Sequence, residues 1–259
     1  MSLAAQYLDQ RFTGASVQHP ALPFFHSCEA KFLQSILDSR ELQPRPCKVY
    51  GENLLYLFYG KPAYKSGEIS HSSLSFMMPM CFIINYEAVC DVKRIVAFDS
   101  GAFPMYKDHF HESMTTKEFE LTPSKSVLKK MIGYFYTGNE SYFNGKPKQE
   151  LVYDPIHFQI EGYHSLIKTQ NKAEIDDRKA SLEVQVTAAI PLNSFAIEAI
   201  ILPASLAKSP MVKEIIINDL KIPIIEILNY GVVSNNYYGL VLDKARDHLV
   251  KKGVLNGCE

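Results

Sequence analysis

The pattern of apolar and polar positions along the 259-residue chain predicts short strands that alternate with amphipathic helices. Apolar runs bounded by turn residues are typical of strands, and apolar residues at helical spacing are typical of helices that pack on a sheet. The predicted strands are FFHSC, NLLYLFYG, SLSFMMPMCFIINY, VKRIVAFDSGAF, SLEVQVTAAI and FAIEAIILP. The predicted helices are EAKFLQSILDSREL, residues 115–131 with TPSKSVLKKMI as their second half, and GLVLDKARDHLVKKG, whereas PIHFQIEGYHSLI is predicted as strand and turn.

Most consecutive strands are separated by turns too short to hold a crossover helix. Such connections favour antiparallel pairing, so we expect an α+β fold with largely antiparallel sheets rather than a doubly wound nucleotide-binding fold. The sequence lacks GxGxxG, GxxxxGK[ST] and HExxH, which argues against nicotinamide hydride transfer, P-loop phosphoryl transfer and the common zinc hydrolases. We expect a single domain over residues 1–259, with an insertion of undefined structure at about 105–150.

Composition describes an ordinary globular protein without a general affinity for nucleic acid. Apolar residues make up 47% and charged residues 21% of the chain, and 27 Lys and Arg against 28 Asp and Glu leave a formal charge of −1. This balance argues against binding by bulk phosphate neutralisation. Two local basic clusters could be either binding patches or solvated surface, and the sequence does not decide between these interpretations. They consist of Lys125, Lys129 and Lys130, and of Lys146 and Lys148.

The cysteines and the N-terminus indicate a reducing compartment. The five cysteines are odd in number and lack CxxC or Cys/His ligand spacing, so we expect reduced thiols rather than a disulfide framework. The N-terminal MSLAAQYLDQRF lacks the basic start and apolar run of a secretory signal, and LSFMMPMCFIINY is too short to span a bilayer. We therefore expect a cytoplasmic protein without a membrane segment, of undetermined oligomeric state.

Three features in chain order carry the candidate chemistry. His26 lies in a short strand that leads into a helix, and Tyr56 lies in an aromatic strand that ends in LLYLFYGKPAY. Glu183 lies in the late strand ASLEVQV, where strand alternation places it on one face with Ser181 and Gln185. Each feature alone is also typical of ordinary packing, so their order is what indicates a site.

The ordered triple resembles the His-Tyr-Glu branch of the ADP-ribosyltransferases. LLYLFYGKPAY resembles the segment in which a Tyr on a core strand is followed, a turn later, by a second Tyr. ASLEVQVTAAIPLNSFAIEAIILP resembles the end of the DNA-modifying ADP-ribosyltransferase toxins, where the strand with the catalytic Glu precedes a Val/Ile-Pro turn and an I-x-x-I strand. HSCEAKFLQSIL resembles the family's opening, although Arg40 and Glu41 stand where a Gly is usual. The matches cover about a quarter of the chain, residues 22–65 and 178–204, and residues 66–177 match nothing.

The resemblance implies an ADP-ribosyltransferase-like fold of two packed, mainly antiparallel sheets with flanking helices. It implies a mono-ADP-ribosyltransferase that uses NAD as cosubstrate, needs no metal, and modifies a protein or nucleic-acid acceptor. Glu183 would be the catalytic carboxylate. The residues that would bind NAD are His26, Ser27, Tyr56, Gly60 and Tyr64.

The chemistry explains why such residues are needed. Cleavage of the nicotinamide glycosidic bond develops positive charge on the ribose, as in glycoside hydrolysis, and a preorganised carboxylate stabilises that charge. Nicotinamide is flat, so we expect Tyr56 and Tyr64 to stack on it, while Gly60 lets the backbone approach its carboxamide. We expect His26 to donate a hydrogen bond to a ribose hydroxyl, and Tyr59, on the opposite strand face, to pack in the core.

The acceptor is not determined by the sequence. The position two residues before the catalytic Glu is Glu or Gln in the branches that modify arginine, asparagine or cysteine, and here it is Ser181. Ser181 matches neither pattern. Arg178 is expected to pair with Asp176 or Asp177, with pyrophosphate binding as the other interpretation.

Three other functions stay open. Cys28 or Cys81 with a histidine would suit a cysteine hydrolase or acyl transferase, although Cys28 and His26 lie side by side on one strand. The segment DHFHE (108–112) would suit a zinc site if a distant third ligand joined it. A non-catalytic NAD- or partner-binding module on the same fold is the main alternative, because FYTGNESYFNGKP has the composition of a recognition surface.

Overall fold

The structure is a computed structural model that describes residues 6–13, 19–63, 74–170, 177–228 and 234–257. Tyr64, which the sequence assigns to the nicotinamide slot, lies outside the described residues, as does Asp176. Among the helices of the described ranges, none combines the length and apolarity that crossing a membrane requires.

Most of the longer strands, together with helices α1 and α7, lie where the apolar pattern predicts them, and several short elements were not predicted. The strands are β1 (Phe24–Glu29), β2 (Glu41–Leu42), β3 (Arg45–Pro46), β4 (Asn53–Tyr59), β5 (Pro79–Ile84), β6 (Val92–Val96), β7 (Glu120–Leu121), β8 (Glu183–Val186), β9 (Ile190–Pro191), β10 (Ile197–Pro203) and β11 (Ile224–Ile227). The α-helices are α1 (Leu33–Ser39), α2 (Ser126–Phe135), α3 (Asn139–Phe143), α4 (Phe158–Lys168), α5 (Ala204–Ala207), α6 (Pro210–Lys213) and α7 (Ser234–Lys251). Short 3-10 helices span Leu8–Arg11, Ala30–Phe32, Ser75–Met77, Tyr86–Ala88, Ser100–His109, Thr116–Phe119 and Asp177–Ala180, and a π-helix spans Glu214–Asp219.

A large sheet organises the fold. Its strand order is β11-β10-β5-β1-β4-β8-β6-β7, with β3 paired to one end of β4, and β2 and β9 form a separate two-stranded sheet. The described pairs are antiparallel except for β10 and β11, which run parallel and are joined through α5 and α6. The expected α+β architecture with largely antiparallel pairing is confirmed, in the form of one large and one small sheet.

The large sheet carries a core on each face because its strands alternate. On the first face, residues such as Phe24, Leu57 and Val184 pack with helices α1, α2 and α4. On the second face, residues such as Phe25 and Ile201 are covered by the buried side of α7. Successive strand residues therefore enter different cores, which fixes the face on which every site residue lies.

Two segments differ from their predictions. The helix expected over residues 115–131 is wrong in its first half, where Thr116–Phe119 forms a 3-10 helix and Glu120–Leu121 forms β7 before α2 begins at Ser126. PIHFQIEGYHSLI was expected to form strand and turn, and this is wrong because Phe158–Lys168 forms α4. Its aromatic and β-branched residues favoured a strand, but Ile160, Tyr163, Leu166 and Ile167 recur at helical spacing and are all buried in the first core. The segment at about 105–150 contains α2 and α3, and α2 begins at Ser126.

Gly60 provides a test of how tightly the end of β4 is packed. Its φ is +75°, and a Cβ there would lie 2.5 Å from Leu22 Cδ1 and 2.9 Å from Tyr142 Cε1. Gly51 has a similar φ of +68°, but no atom lies within 4 Å of an added Cβ. Substitution of Gly51 therefore measures only the free energy that a non-glycine residue loses at positive φ. We expect Gly51→Ala to lower the free energy of unfolding by about 1 kcal/mol.

Gly60→Ala is expected to lower the free energy of unfolding by a further ~1–3 kcal/mol, because the methyl group overpacks the core. Urea denaturation of both variants beside the wild type measures the difference. An equal decrease in the free energy of unfolding of the two variants would show that the side chains around Gly60 accommodate the methyl group without loss of stability.

Candidate functional site

The candidate site is built where strand β1 leaves strand β4. Strand β1 pairs with β5 along its full length, but with β4 only through Phe24↔Tyr59 and Phe25↔Phe58. The other end of the same β4 edge pairs with β3. In the described chain, residues 55–57 therefore have no strand partner on this edge, while their other edge pairs with β8.

His26 lies in this gap. Its Nδ1 is 2.9 Å from the main-chain oxygen of Tyr56, which belongs to the unpaired stretch of β4. A carbonyl oxygen only accepts, so Nδ1 carries the proton. Burial lowers the pKa of His26, with a smaller contribution from the charge of Arg45, and the ring is therefore neutral near pH 7. In the neutral ring, Nε2 is left as a hydrogen-bond acceptor.

A cavity of about 270 Å³ lies beside His26 on the first face of the sheet. Phe32, Ile36 and Leu42 give it an apolar and aromatic wall, and Arg45 adds a cation. The Arg45 guanidinium lies 3.8 Å from the centroid of the Phe32 ring, so the stacking contact holds the charge at the cavity. A flat ring attached to an anionic group fits this combination of walls and charge.

Glu183 begins strand β8 and is only 1% exposed. Its carboxylate accepts hydrogen bonds from the Ser100 main-chain nitrogen at 3.0 Å, from the Ser100 hydroxyl at 2.8 Å and from Gln185 Nε2 at 2.6 Å. Burial, together with the nearby charge of Asp99, raises the pKa of Glu183 to about 8 despite these donors. Such a carboxyl exchanges its proton near physiological pH, which is typical of functional sites.

The carboxyl of Glu183 is held by a second layer of polar contacts. Gln185 Oε1 accepts a hydrogen bond from Arg94, and Arg94 also forms ion pairs with Glu52 at 3.2 Å and Glu120 at 3.3 Å. The Arg94 guanidinium lies 3.9 Å from the centroid of the Tyr50 ring. Gln185 is fully buried, so these contacts fix the amide orientation that presents its donor to Glu183.

Strand register relates Glu183 to the gap. Glu183 lies opposite Phe58, which lies opposite Phe25, the last residue of β1 that pairs with β4. Two strand spacings, about 10 Å, thus separate Glu183 from the point where the strands part. Tyr56 lies opposite Gln185 on the same face as Glu183, and the charge of Glu183 contributes to the raised pKa of Tyr56, after burial and the Cys47 contact.

The structure brings the three predicted residues to neighbouring strands but not to one face. His26 contacts the backbone of Tyr56 on the first face, whereas the Tyr56 ring and Glu183 share the second face. The Tyr56 hydroxyl lies 2.7 Å from Cys47 Sγ. Residues 55–57 of β4 have no strand partner on the β1 side in the described chain, and Glu183 does not line the cavity that contains His26.

The remaining expected NAD-binding residues have contacts within the protein. The Ser27 hydroxyl donates to Cys81 Sγ at 3.4 Å, and the Gly60 main-chain nitrogen donates to the Pro23 oxygen at 2.9 Å. Tyr59 is fully buried and its hydroxyl accepts a hydrogen bond from the Leu22 nitrogen, which confirms its expected packing role. Ser27 and Gly60 thus lie close to the unpaired stretch of β4, and their hydrogen bonds to Cys81 and Pro23 stabilise the fold.

The contacts around Glu183 give two further outcomes. The Ser181 hydroxyl is buried and donates a hydrogen bond to the main-chain oxygen of Asp177. It is therefore used within the protein. Arg178 forms an ion pair with Asp99 at 3.4 Å, a partner that the sequence did not indicate. Through Asp99 this ion pair also adjoins the carboxyl of Glu183.

The thiols are poorly suited to nucleophilic catalysis. Burial raises the pKa of Cys81 to about 12, and burial together with the charge of Cys81 raises that of Cys28 to about 12. Both thiols are therefore protonated at neutral pH, and the thiol is a weak nucleophile. In the described residues Cys28, Cys47, Cys81 and Cys90 form no disulfide.

The possible zinc site at residues 108–112 has no third ligand in the described chain. His109 Nδ1 and Ser165 Oγ are 3.1 Å apart, and His111 Nδ1 lies 2.8 Å from Ser113 Oγ. Within the described ranges, no group of three or more His, Cys, Asp and Glu side chains could hold a metal ion.

The sequence contained a signal for some of the residues that surround Glu183, but not for others. Gln185 stands two positions after Glu183, and strand alternation placed it on the same face. Ser100, Asp99 and Arg94 come from a different part of the chain, and nothing in the local pattern links them to Glu183. Arg45 is likewise contributed by a short strand that the pattern did not predict.

The raised pKa of Glu183 predicts a pH-dependent stability. A group whose pKa rises from its ordinary 4.5 to about 8 on folding favours the folded state while protonated, and this contribution is lost as pH increases from about 4.5 to 8. Glu183→Gln removes the ionisation. We therefore expect its free energy of unfolding to increase relative to wild type by up to about 1.4 kcal/mol per pH unit in this interval.

Urea denaturation between pH 5 and pH 8 measures this difference. Glu226→Gln, an exposed glutamate on β11, is the matched control and should follow the wild-type profile. Parallel pH profiles for wild type and Glu183→Gln would contradict the raised pKa.

Comparison with known proteins finds no family model that matches the chain and no curated protein that is similar to it. Support for a function therefore comes from the geometry of the site and from the motifs in the sequence.

Proposed function

We propose that the protein is an NAD-dependent mono-ADP-ribosyltransferase that cleaves the nicotinamide glycosidic bond and transfers ADP-ribose to a macromolecular acceptor. The observation that carries the proposal is that His26, Tyr56 and Glu183 lie on the adjacent strands β1, β4 and β8, next to the stretch of β4 that has no strand partner on the β1 edge. In the sequence, these residues are indicated by their order and by the motif resemblances around Tyr56 and Glu183. Nothing in that order alone required them to fall on adjacent strands.

The cavity beside His26 has the size of the reactive end of NAD rather than of the whole molecule. Its volume of about 270 Å³ lies just below the range of roughly 300–1,000 Å³ that is usual for complete ligands. Nicotinamide and part of its ribose would occupy it, and the rest of the dinucleotide would extend over the surface. Arg45, exposed at the cavity, would then supply positive charge to the pyrophosphate.

His26 would orient the ribose through its free ring nitrogen. Nδ1 donates a hydrogen bond to the main-chain oxygen of Tyr56, and the ring is neutral. Nε2 can therefore accept a hydrogen bond from a ribose hydroxyl. This differs from the donor role expected from the sequence, and the reason is the tautomer that the Tyr56 carbonyl imposes. The role remains one of binding rather than of proton transfer.

Glu183 would stabilise the cationic ribose. As the glycosidic bond breaks, its electron pair leaves with nicotinamide and positive charge develops on the ribose ring, which an ionised carboxylate stabilises. The hydrogen bonds from Ser100 and Gln185 hold the carboxylate in one orientation before the reaction begins. Its partly protonated state at pH 7 means that the active form increases with pH.

Release of nicotinamide from NAD by the purified protein tests this proposal. We expect slow release by the wild type, and a loss of about 10²–10³-fold in Glu183→Gln, the usual effect of removing one preorganised electrostatic group. Glu226→Gln, an exposed glutamate on the same sheet, should retain the wild-type rate. Circular dichroism of each variant establishes that the fold is unchanged.

The absence of nicotinamide release, combined with no increase in melting temperature on addition of NAD, would refute the proposal. Equal rates of nicotinamide release in wild type and Glu183→Gln would refute the role of Glu183 but not the cleavage of NAD by the protein.

The pH profile of nicotinamide release gives an independent measurement. The rate should increase with pH and level off above the pKa of Glu183, about 8, because only the ionised carboxylate stabilises the cation. Ser100→Ala removes a hydrogen bond that lowers this pKa, so its profile should shift to higher pH. A rate that decreases with pH, or that ignores it, would be inconsistent with the assigned role.

A non-catalytic NAD-binding module is the second candidate. One observation favours it: Glu183 is 1% exposed and does not line the cavity that contains His26. In that case NAD would raise the melting temperature without releasing nicotinamide. His26→Ala would abolish this thermal shift, and Glu183→Gln would leave it unchanged.

A further inference from the structure

Arg94 lies one side chain away from the carboxyl of Glu183. Strand β6 carries Arg94, and the strand register places it opposite Gln185 of β8. The Arg94 side chain is 17% exposed and donates a hydrogen bond to Gln185 Oε1, while Gln185 Nε2 donates to Glu183 Oε1. Any effect of this contact on the carboxyl of Glu183 therefore passes through the Gln185 amide.

The orientation of the Arg94 guanidinium is fixed by its contacts. Nη1 contacts Gln185, Nη2 lies 3.2 Å from Glu52 Oε1, and Nε lies 3.3 Å from Glu120 Oε1. One face of the group is stacked 3.9 Å from the centroid of the Tyr50 ring. A planar guanidinium that has a different partner at each nitrogen keeps one orientation, so a donor always faces Gln185.

This donor determines which way the Gln185 amide is turned. A guanidinium only donates, so the amide oxygen must face Arg94, and the amide nitrogen then faces Glu183 at 2.6 Å. The reversed amide would bring two donors together at Arg94 and two acceptors together at an ionised Glu183. Because Gln185 is fully buried, solvent does not compensate for such a reversal.

The amide orientation favours one charge state of Glu183. An ionised carboxylate only accepts, so it uses the amide nitrogen as a donor, whereas the hydrogen of a protonated carboxyl has no acceptor at that nitrogen. The hydrogen bond from Gln185 accordingly lowers the pKa of Glu183, although burial and the charge of Asp99 raise it overall to about 8. Without Arg94, the amide could turn over and accept from the protonated carboxyl.

Other charged and titratable groups also pack against these side chains. Burial raises the pKa of the Tyr56 hydroxyl, so this group stays neutral at physiological pH. Since Arg94 is itself charged, a test must separate the effect of its charge from the effect of its contact with Gln185. The groups are Asp99, with its ion-pair partner Arg178, and Tyr56 near Glu183, and Glu52 and Glu120 at Arg94.

We propose that Arg94 is a positioning residue, which fixes the Gln185 amide and thereby favours the ionised form of Glu183 that stabilises the ribose cation. The proposal deepens the proposed function, and its consequence for the reaction rests on that function. Tyr50 and Glu52, which hold Arg94, lie in the turn between β3 and β4, and the same two strands line the cavity beside His26.

Titration of Glu183, followed by NMR through its side-chain carboxyl carbon, tests the proposal without an enzymatic assay. We expect Arg94→Met to increase the pKa of Glu183 by about one unit, because the fixed donor is lost. In a Gln185→Met background, the same substitution should change this pKa much less. The matched control Lys93→Met removes a neighbouring cation that also pairs with Glu52, and should leave the pKa unchanged.

An equal increase in the two backgrounds would show that Arg94 acts only through its charge, and would overturn the proposal. An unchanged pKa in Arg94→Met would also overturn it.

The wild type provides a measurement that does not depend on the folding of a variant. The side-chain amide signals of Gln185 should shift with the same midpoint as Glu183, because the amide nitrogen contacts the carboxyl. Their exchange with solvent should stay slow at both ends of the titration, because Arg94 holds the amide. Signals that do not follow the titration, or that lose protection when Glu183 is protonated, would contradict the fixed orientation.

The pH profile of nicotinamide release distinguishes positioning from general damage to the fold. At pH 7 we expect a rate about ten-fold lower in Arg94→Met than in the wild type, and recovery toward the wild-type rate as pH increases above the raised pKa. A loss of equal size at every pH would indicate a structural defect and overturn the positioning role. If the wild type releases no nicotinamide, the proposed function fails, and the NMR titration still decides whether Arg94 controls the charge of Glu183.

Discussion

The uneven pairing of β1 shapes the centre of this protein. Its six residues pair with β5, but only Phe24 and Phe25 pair with β4, so the sheet is continuous at one end of β1 and open at the other. An unpaired carbonyl inside a protein is costly unless a donor reaches it. His26 supplies that donor to Tyr56, and the same contact sets the tautomer of its ring. The side chain that closes the edge of the sheet is thus also the one that faces the cavity.

The carboxyl of Glu183 is the second constraint. Burial of an ionisable group in a sheet costs free energy unless hydrogen bonds compensate for the lost water. Ser100 supplies two of these bonds from the start of a 3-10 helix, and Gln185 supplies a third while Arg94 orients it. Burial and the charge of Asp99 thus raise the pKa of this carboxyl to about 8, and the stability gained from its protonation is lost as pH increases. Perturbed pKa values of this kind occur at functional sites and also in structural polar networks.

Much of the fold could be predicted from local pattern. Strands β1, β4, β8 and β10 and helices α1 and α7 lie where short apolar runs or helical spacing indicated them. The apolar pattern works there because each element buries one face or both against neighbours, and burial selects the period of the sequence. It failed at α4, where aromatic and β-branched residues suggested a strand although their spacing is helical and the tertiary core uses that spacing.

By itself, the sequence determined the type of most elements, the strand face on which Glu183 and Gln185 lie, and the packing role of Tyr59, because these follow from the period-2 alternation of strands. Only the tertiary structure decided which strands are neighbours, that β1 and β4 part beside His26, and that Ser100 and Arg45 reach the site from other parts of the chain. It also decided that Glu183 is buried enough to titrate near pH 8. Local periodicity shows which side of an element is buried, but pairing partners, long-range hydrogen bonds and desolvation depend on what the rest of the chain places against that side.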